Sequence, residues 1–385
     1  MAASKITLWW LAGWYPSSQN SMAGDFIARH LDVARQYYSI RLFHFPLYGE
    51  GEARPEPVSV SDGVILEWHP IEQKKGGAWA RFWNADAYKK AVLSVLKKAY
   101  KGEQPDAVHV HAPDKLALPV SIFMHGKAQP LYLTEHWAIY DGKAEDAFEN
   151  RAWWFQRAQR QLWKRVDKHL AVSMPLHRDM ERVLGASKPV EALPNVVNEA
   201  LFVPSNEPVQ PRFVHVSGMD ERKNPKGILK AFAVCRQQYS DMELLMVGSA
   251  DHDLQDWAQQ QGLDSGVEWG GVMSHERLAQ VLNKGLALVL FSEAENAPCV
   301  ISEALCSGLP VVSSDVGGIA DMMESPADAL LVTPSDVEGL TEALVRAREL
   351  FLKEGAAARL RRAQRAGARY GRAAVAAALE RGYGF

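Results

Sequence analysis

The chain has 385 residues, a formal net charge of -3 and 47% hydrophobic residues. That length exceeds one ordinary core and implies two domains, while the balance fits a soluble globular protein and excludes a generally basic nucleic-acid binder. Cys235, Cys299 and Cys306, the only 3 cysteines, form no metal or disulfide pattern, which points to a reducing cytoplasm.

From the amino terminus, residues 6–14 are apolar but short. They lack a small-residue cleavage site and run into Tyr15-Pro16, so they read as a first strand rather than a signal peptide. No later segment is long enough to span a membrane. Residues 6–10, 40–45, 107–111 and 131–134 read as strands, and residues 87–100 and 153–166 as amphipathic helices. Residues 168–173 close the first sheet. His109 and His111 alternate on their strand, so one of the two is expected to face the ligand edge, and His111, nearer the strand end, is the candidate. The turn-rich stretch 192–198 marks a hinge. A second set of strands follows at 212–216, 243–247, 267–269, 287–291 and 311–313. This alternation of strands and helices argues for doubly wound α/β domains. The 12 tryptophans belong mostly to core and interfaces, with some free to stack on sugars. Two helices are basic, one carrying Lys89, Lys90, Lys97, Lys98 and Lys101, the other several arginines between Arg359 and Arg372. Such faces are either solvated or suited to anionic lipid.

The densest chemistry lies between residues 286 and 318. Residues 286–291 form an apolar run that reads as a buried strand, a polar loop follows, and Pro298 suits the first position of a helix. Gly308 stops that helix before the next strand. Glu295 falls in the loop and Glu303 more than a turn inside the helix, both at the carboxyl edge of a parallel sheet where open α/β folds bind ligands. Free backbone amides around Cys299, Val300 and Ile301 would attract a phosphate. Carboxylates beside a phosphate serve neutral hydroxyls instead. A phosphate pocket flanked by two hydroxyl-binding carboxylates describes a nucleotide-sugar site.

This stretch resembles the donor signature of the retaining glycosyltransferases of family 4, which have the GT-B fold. Glu295, Glu303, Gly308, Pro310, Val311, Val312, Gly317 and Gly318 fit that pattern, while Asn296-Ala-Pro replaces a common Gly-Phe-Gly. The resemblance implies two Rossmann-like doubly wound domains facing across a cleft. Their bounds are 1–193 for the acceptor-binding domain, 194–205 for the linker, 206–369 for the nucleotide-sugar domain, and 370–385 for a helix returning to the first domain. It implies that Lys223, in Ser217-Gly-Met-Asp-Glu-Arg-Lys223, meets the departing diphosphate. Gly218 stands where many relatives have an arginine, and Arg222 is the candidate to supply that charge; Lys226 reads as a solvated helix charge. The resemblance also implies that Glu303 holds ribose and Glu295 the donor sugar. His136, in Thr134-Glu-His-Trp137, would contact the sugar from the first domain, and Gly24 would let backbone approach the donor or acceptor. Glu135 and Trp137 are candidates to line the acceptor pocket.

Ser249, after the strand 243–247, and the loop at Gly270-Gly271 are expected to frame the base and ribose. Asp251-His-Asp253 looks like a metal-binding motif but stands away from the donor signature, so no metal and no cofactor are expected. The expected activity is metal-independent, retaining transfer from a nucleotide-diphosphate sugar to a sugar or lipid-linked acceptor. The setting would be cell-surface polysaccharide or glycolipid synthesis, in the cytoplasm and peripherally at the inner face of the membrane. The rival readings are a nucleotide-sugar epimerase of the same architecture and a non-catalytic sugar-nucleotide-binding module.

Overall fold

The computed structural model describes residues 5–58, 62–142, 146–205, 207–249 and 252–385. The chain forms two compact units. One runs to Leu193 and regains Val375–Phe385, and the other is Pro194–Ala374.

The first unit contains β1 (Thr7–Ala12), β2 (Ser39–His44), β3 (Leu47–Gly49), β4 (Val64–Trp68), β5 (Ile71–Gln73), β6 (Ala107–His111), β7 (Leu131–Thr134), β8 (Lys168–Ala171) and β9 (Val190–Ala192). Its helices are α1 (Asp25–Ala34), α2 (Ala78–Gly102), α3 (Ala117–Met124), α4 (Trp153–Arg165) and α5 (Met174–Leu184). Seven strands make one parallel sheet in the order β4-β2-β1-β6-β7-β8-β9, and β3 pairs with β5 outside it. β1 is apolar from Leu8 to Ala12 because helices cover both faces of a central parallel strand, and Leu8, Trp9, Trp10 and Leu11 are fully buried.

The second unit contains β10 (Arg212–Val216), β11 (Glu243–Val247), β12 (Val267–Gly271), β13 (Ala287–Leu290), β14 (Val311–Ser314) and β15 (Ala329–Val332), parallel in the order β12-β11-β10-β13-β14-β15. Its helices are α6 (Pro225–Gln238), α7 (His252–Gln260), α8 (His275–Lys284), α9 (Cys299–Cys306), α10 (Val337–Phe351) and α11 (Ala356–Tyr370). Helix α12 (Arg372–Tyr383) carries the chain back into the first unit, where the buried Tyr383 side chain bonds His109 Nδ1 at 2.8 Å and Arg381 pairs with Glu191 at 2.8 Å.

The expected doubly wound folds are present, with three differences of detail. Pro298 caps α9 instead of opening it. Helix α2 starts nine residues before the expected 87, at Ala78, because its first turns expose their aromatic side chains and show no core-facing pattern. The edge strands β4 and β9 escape sequence reading because half-exposed short strands lack a hydrophobic signature. Asp251 lies outside the described residues, and Asp253 sits in the first turn of α7.

Both cores carry buried neutral histidines. Burial pushes His44 and His215 down to about 4 and His169 to about 3, from an ordinary 6.5. Between these values and 6.5 the unfolded chain binds more protons than the folded one. Their contribution is therefore complete above pH 6.5 and is lost as pH falls toward 4. At pH 5 His44 and His215 should each destabilise the fold by roughly 2 kcal/mol. Melting curves should shift down steeply from pH 7 to pH 5, and a flat profile would contradict buried, neutral imidazoles.

Candidate active site

In the second unit β10 has β11 on one side and β13 on the other, so the loops after β10 and β13 diverge and open a crevice at the carboxyl edge. The first loop, residues 217–224, is held by its own strand. His215 Nδ1 lies 2.9 Å from the Val289 carbonyl, and Nε2 lies 2.6 Å from Ser217 Oγ, which accepts from the Met219 amide at 2.9 Å. With the proton on Nδ1, neutral His215 donates to the carbonyl and accepts from the serine. Met219 and Asn224 adopt left-handed backbone at φ 57 and φ 47, turning the chain so that Lys223 points back over the crevice.

There the Lys223 ammonium forms an ion pair with Glu295 Oε1, and Ser292 Oγ donates to the same oxygen at 2.8 Å. Two further ties join the loops. The Glu293 amide donates to the Arg222 carbonyl at 2.8 Å, and the Glu293 carboxylate accepts from Asn224 Nδ2 at 3.2 Å and from Ser335 Oγ at 2.8 Å. The Lys223 and Glu295 side chains are only 15% and 10% exposed, so removing either leaves a poorly hydrated charge behind. The pair is held ready instead of moving freely in water.

The Val-Gly-Gly turn explains itself by contact with this loop. Gly317 has φ 55, and a Cβ there would lie 1.6 Å from the Glu295 carbonyl oxygen; the Gly318 amide donates to the Asn296 carbonyl at 3.0 Å. Only glycine fits. Gly317→Ala should therefore shift the loop, lower the melting temperature and reduce turnover by about tenfold or more, since forced strain of this kind costs roughly 1–3 kcal/mol. Unchanged turnover in a destabilised variant would show that the turn does not set the position of Glu295.

Glu303 is the fifth residue of α9 and is buried at 3% exposure. Cys299 and Val300 are half-buried at the helix start. Ile301 departs from the expectation. Its side chain is wholly buried in the core and its amide donates to the Pro298 carbonyl at 3.0 Å, so it offers no free amide. The Arg222 side chain is 47% exposed and lies 3.8 Å from Asp220; it contributes its carbonyl to the crevice, and its guanidinium does not join the Lys223 pair. At Gly218 an added Cβ would meet nothing nearer than Asp220 Oδ2 at 3.8 Å, leaving room for a side chain. Lys226 lies over the Trp257 ring at 5.2 Å, away from the pair, and Ser249 is exposed just past β11. Sequence reading missed Ser292, the His215–Ser217 relay and Asn195, whose Nδ2 donates to the Ala297 carbonyl at 2.8 Å.

In the first unit the switch lies between β1 and β6. Gly24 caps α1 with φ 69, and a Cβ there would stand 2.5 Å from the Trp14 carbonyl oxygen, so the turn itself requires glycine. His136 follows β7, with its ring 4.0 Å from Phe26 and 6.2 Å from His30. Burial, with His30, His111 and His169 nearby, holds it well below 6.5 and hence neutral. Glu135 accepts from the His136 and Trp137 amides at 2.8 and 3.0 Å and fixes that loop; burial pushes its carboxyl up to about 7 despite these bonds.

His109 and His111 need correction. Positions two apart on a strand share a face, and their rings lie 3.8 Å apart, both wholly buried. His109 bonds Thr134 Oγ1 at 2.8 Å and His111 packs 4.3 Å from Trp10, so both belong to the core.

Comparison with known proteins bears on the family and the fold. The chain matches the family models "Glycosyltransferase Family 4" over residues 51–201 and "Glycosyl transferases group 1" over residues 197–366. It is 24% identical to the putative teichuronic acid biosynthesis glycosyltransferase TuaC of Bacillus subtilis over 88% of each chain. It is 26% identical to the MMP alpha-(1->4)-mannosyltransferase of Mycolicibacterium hassiacum over 56% of each chain. Another curated relative is matched over only 18% of its length. Among solved structures, Anabaena HepE in complex with UDP-glucose superposes with a TM-score of 0.71 at 16% identity, covering 98% of both chains.

Proposed function

Since this chain belongs to the family 4, group 1 glycosyltransferases of GT-B fold, we propose that it moves a sugar from a nucleoside-diphosphate donor to a sugar or lipid-linked acceptor, with retention of configuration, in polysaccharide or glycolipid synthesis. The observation that carries the reading is the Lys223–Glu295 ion pair at the crevice of the second unit. A diphosphate is a stronger partner for an ammonium than one carboxylate is, so donor binding draws Lys223 to the phosphates. That releases Glu295 to accept from hydroxyls of the donor sugar. Lys223 then stabilises the charge that builds on the leaving diphosphate as the glycosidic bond breaks. Glu303 accepts from the ribose, and the start of α9 favours phosphate. Retention proceeds by same-face attack, with the departing phosphate taking the acceptor proton.

HepE's complex with UDP-glucose makes uridine donors the first to test. A thermal-shift panel of nucleoside diphosphates and their sugars should raise the melting temperature for one base series, because a ligand of the native state stabilises it. No shift with any member, together with no transfer, would contradict the reading. Turnover should also proceed without divalent metal, because Lys223 and the start of α9 meet the diphosphate charge. Activity abolished by EDTA and restored by magnesium or manganese would overturn that charge balance.

A further inference from the structure

Helix α2 has two faces, and only one is explained by the fold. Tyr88, Val92, Leu96 and Ala99 form the stripe packed on the first unit, each no more than 8% exposed. On the opposite side, about 150° around at 100° per residue, runs a second stripe of Trp79, Trp83, Asp86, Lys90, Lys97 and Lys101. Its members stand three or four residues apart from Trp79 to Lys90, and the row resumes on the same face at Lys97 and Lys101 two turns further on. Its first turns are aromatic: Trp79 is 78% exposed, Phe82 beside it 62% and Trp83 60%, with the Phe82 and Trp83 rings 5.9 Å apart. Its later turns are lysine, and the Lys90 side chain is 71% exposed. Asp86, the one acidic member, is neutralised by Lys89 and Lys90, each at 2.7 Å. Between residues 72 and 102 eight lysines and arginines stand against two acidic residues, in a chain whose net charge is -3. The positive charge is thus gathered onto this segment.

Three large aromatic side chains left in water at one end of a helix mark an interaction surface. We propose that the outward face of α2 docks on an anionic lipid surface, with Trp79, Phe82 and Trp83 entering the headgroup boundary and Lys90, Lys97 and Lys101 lying over the lipid phosphates. Aromatic rings are favoured at that boundary, and each lysine near an anionic leaflet adds to the attraction. No helix among the described residues is long and apolar enough to cross a membrane, so α2 lies on the surface. The lysine row disfavours a second copy of this chain, because two such faces would set like charges together. A soluble anionic glycan is disfavoured by shape, since the stripe is a convex helix face and not a groove. The aromatic end of α2 lies at the carboxyl edge of the sheet, because α2 leads into β6 and crosses back along the sheet. That edge also bears His136, so lipid docking would bring lipid-linked acceptors beside it.

The test is co-sedimentation of the full chain with phosphatidylglycerol vesicles and with phosphatidylcholine vesicles, at low and high salt. The wild type should partition at least tenfold more strongly to the anionic vesicles, and high salt should weaken this. The triple variant Trp79→Ala, Phe82→Ala, Trp83→Ala should lose tenfold or more on anionic vesicles. Lys90→Glu, Lys97→Glu, Lys101→Glu should abolish the preference for anionic lipid. Both sets change exposed side chains, and an unaltered melting temperature establishes that they fold; Trp79→Ala alone provides a milder form. The proposal is overturned if the wild type ignores anionic vesicles or if the aromatic variant binds them as well as wild type. It is overturned equally if the face instead mediates a dimer that the aromatic variant dissolves, or if soluble dextran sulfate competes fully while neutral and anionic vesicles bind alike. Transfer to a soluble acceptor should be unchanged in both variants, so failure here leaves the enzymatic reading standing.

Discussion

Lys223→Ala is expected to reduce turnover by roughly a hundredfold to a thousandfold, the loss typical when a preorganised group facing a developing anion is removed. Lys226→Ala should change it by less than about twofold. The two lysines are three apart in sequence and both cationic, so sequence alone separates them weakly. Geometry separates them clearly. Lys223 is turned over the crevice by the left-handed Met219 and Asn224 and meets Glu295, whereas Lys226 rests over Trp257. Truncating Lys223 also leaves the 10%-exposed Glu295 carboxylate without its cation. The variant should therefore bind nucleoside diphosphate poorly as well as turn over slowly. Initial rates of both variants under saturating acceptor decide the matter, and equal losses would mean that the phosphate cation has been misplaced.

Glu295→Ala is expected to lower turnover by about a hundredfold or more while leaving nucleoside diphosphate binding intact or slightly tighter. The second half follows from the ion pair. Under the proposed function Glu295 and the donor phosphates share Lys223 as a partner, so removing the carboxylate leaves the ammonium to the phosphates. The first half follows from the proposed role of Glu295, whose hydroxyl contacts need an intact donor. Glu295→Gln keeps an acceptor but loses the charge, so it should retain more activity than Glu295→Ala. A Glu295→Ala variant that retains wild-type turnover would remove the carboxylate from the reaction.

The parts of this site that were legible in the sequence were local. A buried strand, a polar loop, an eight-residue helix and a glycine stop follow one another within residues 286–318, and the structure places them as β13, the Glu295 loop, α9 and Gly308. The contacts that give the site its charge state were not local. Lys223 and Glu295 are 72 residues apart, and only the pairing of β10 with β13 brings their loops together. Asn195 reaches the same loop across 102 residues. Ile301 was misjudged because the amide count at a helix start ignores the tight bond back to Pro298. His215 and Ser217 could have been found, since positions two apart share a strand face, and that rule would also have placed His109 beside His111.

The central claim is that Glu303 serves the nucleotide and Glu295 the sugar in one donor site. Calorimetric titration of wild type, Glu303→Ala and Glu295→Ala with free nucleoside diphosphate, beginning with UDP, tests it most directly. Hydrogen bonds to a charged group contribute roughly 1.5–3 kcal/mol, so Glu303→Ala should weaken UDP binding by about tenfold or more. Glu295→Ala should bind it at least as tightly as wild type. Equal weakening by both substitutions, or none by Glu303→Ala in a protein that binds UDP, would contradict the account.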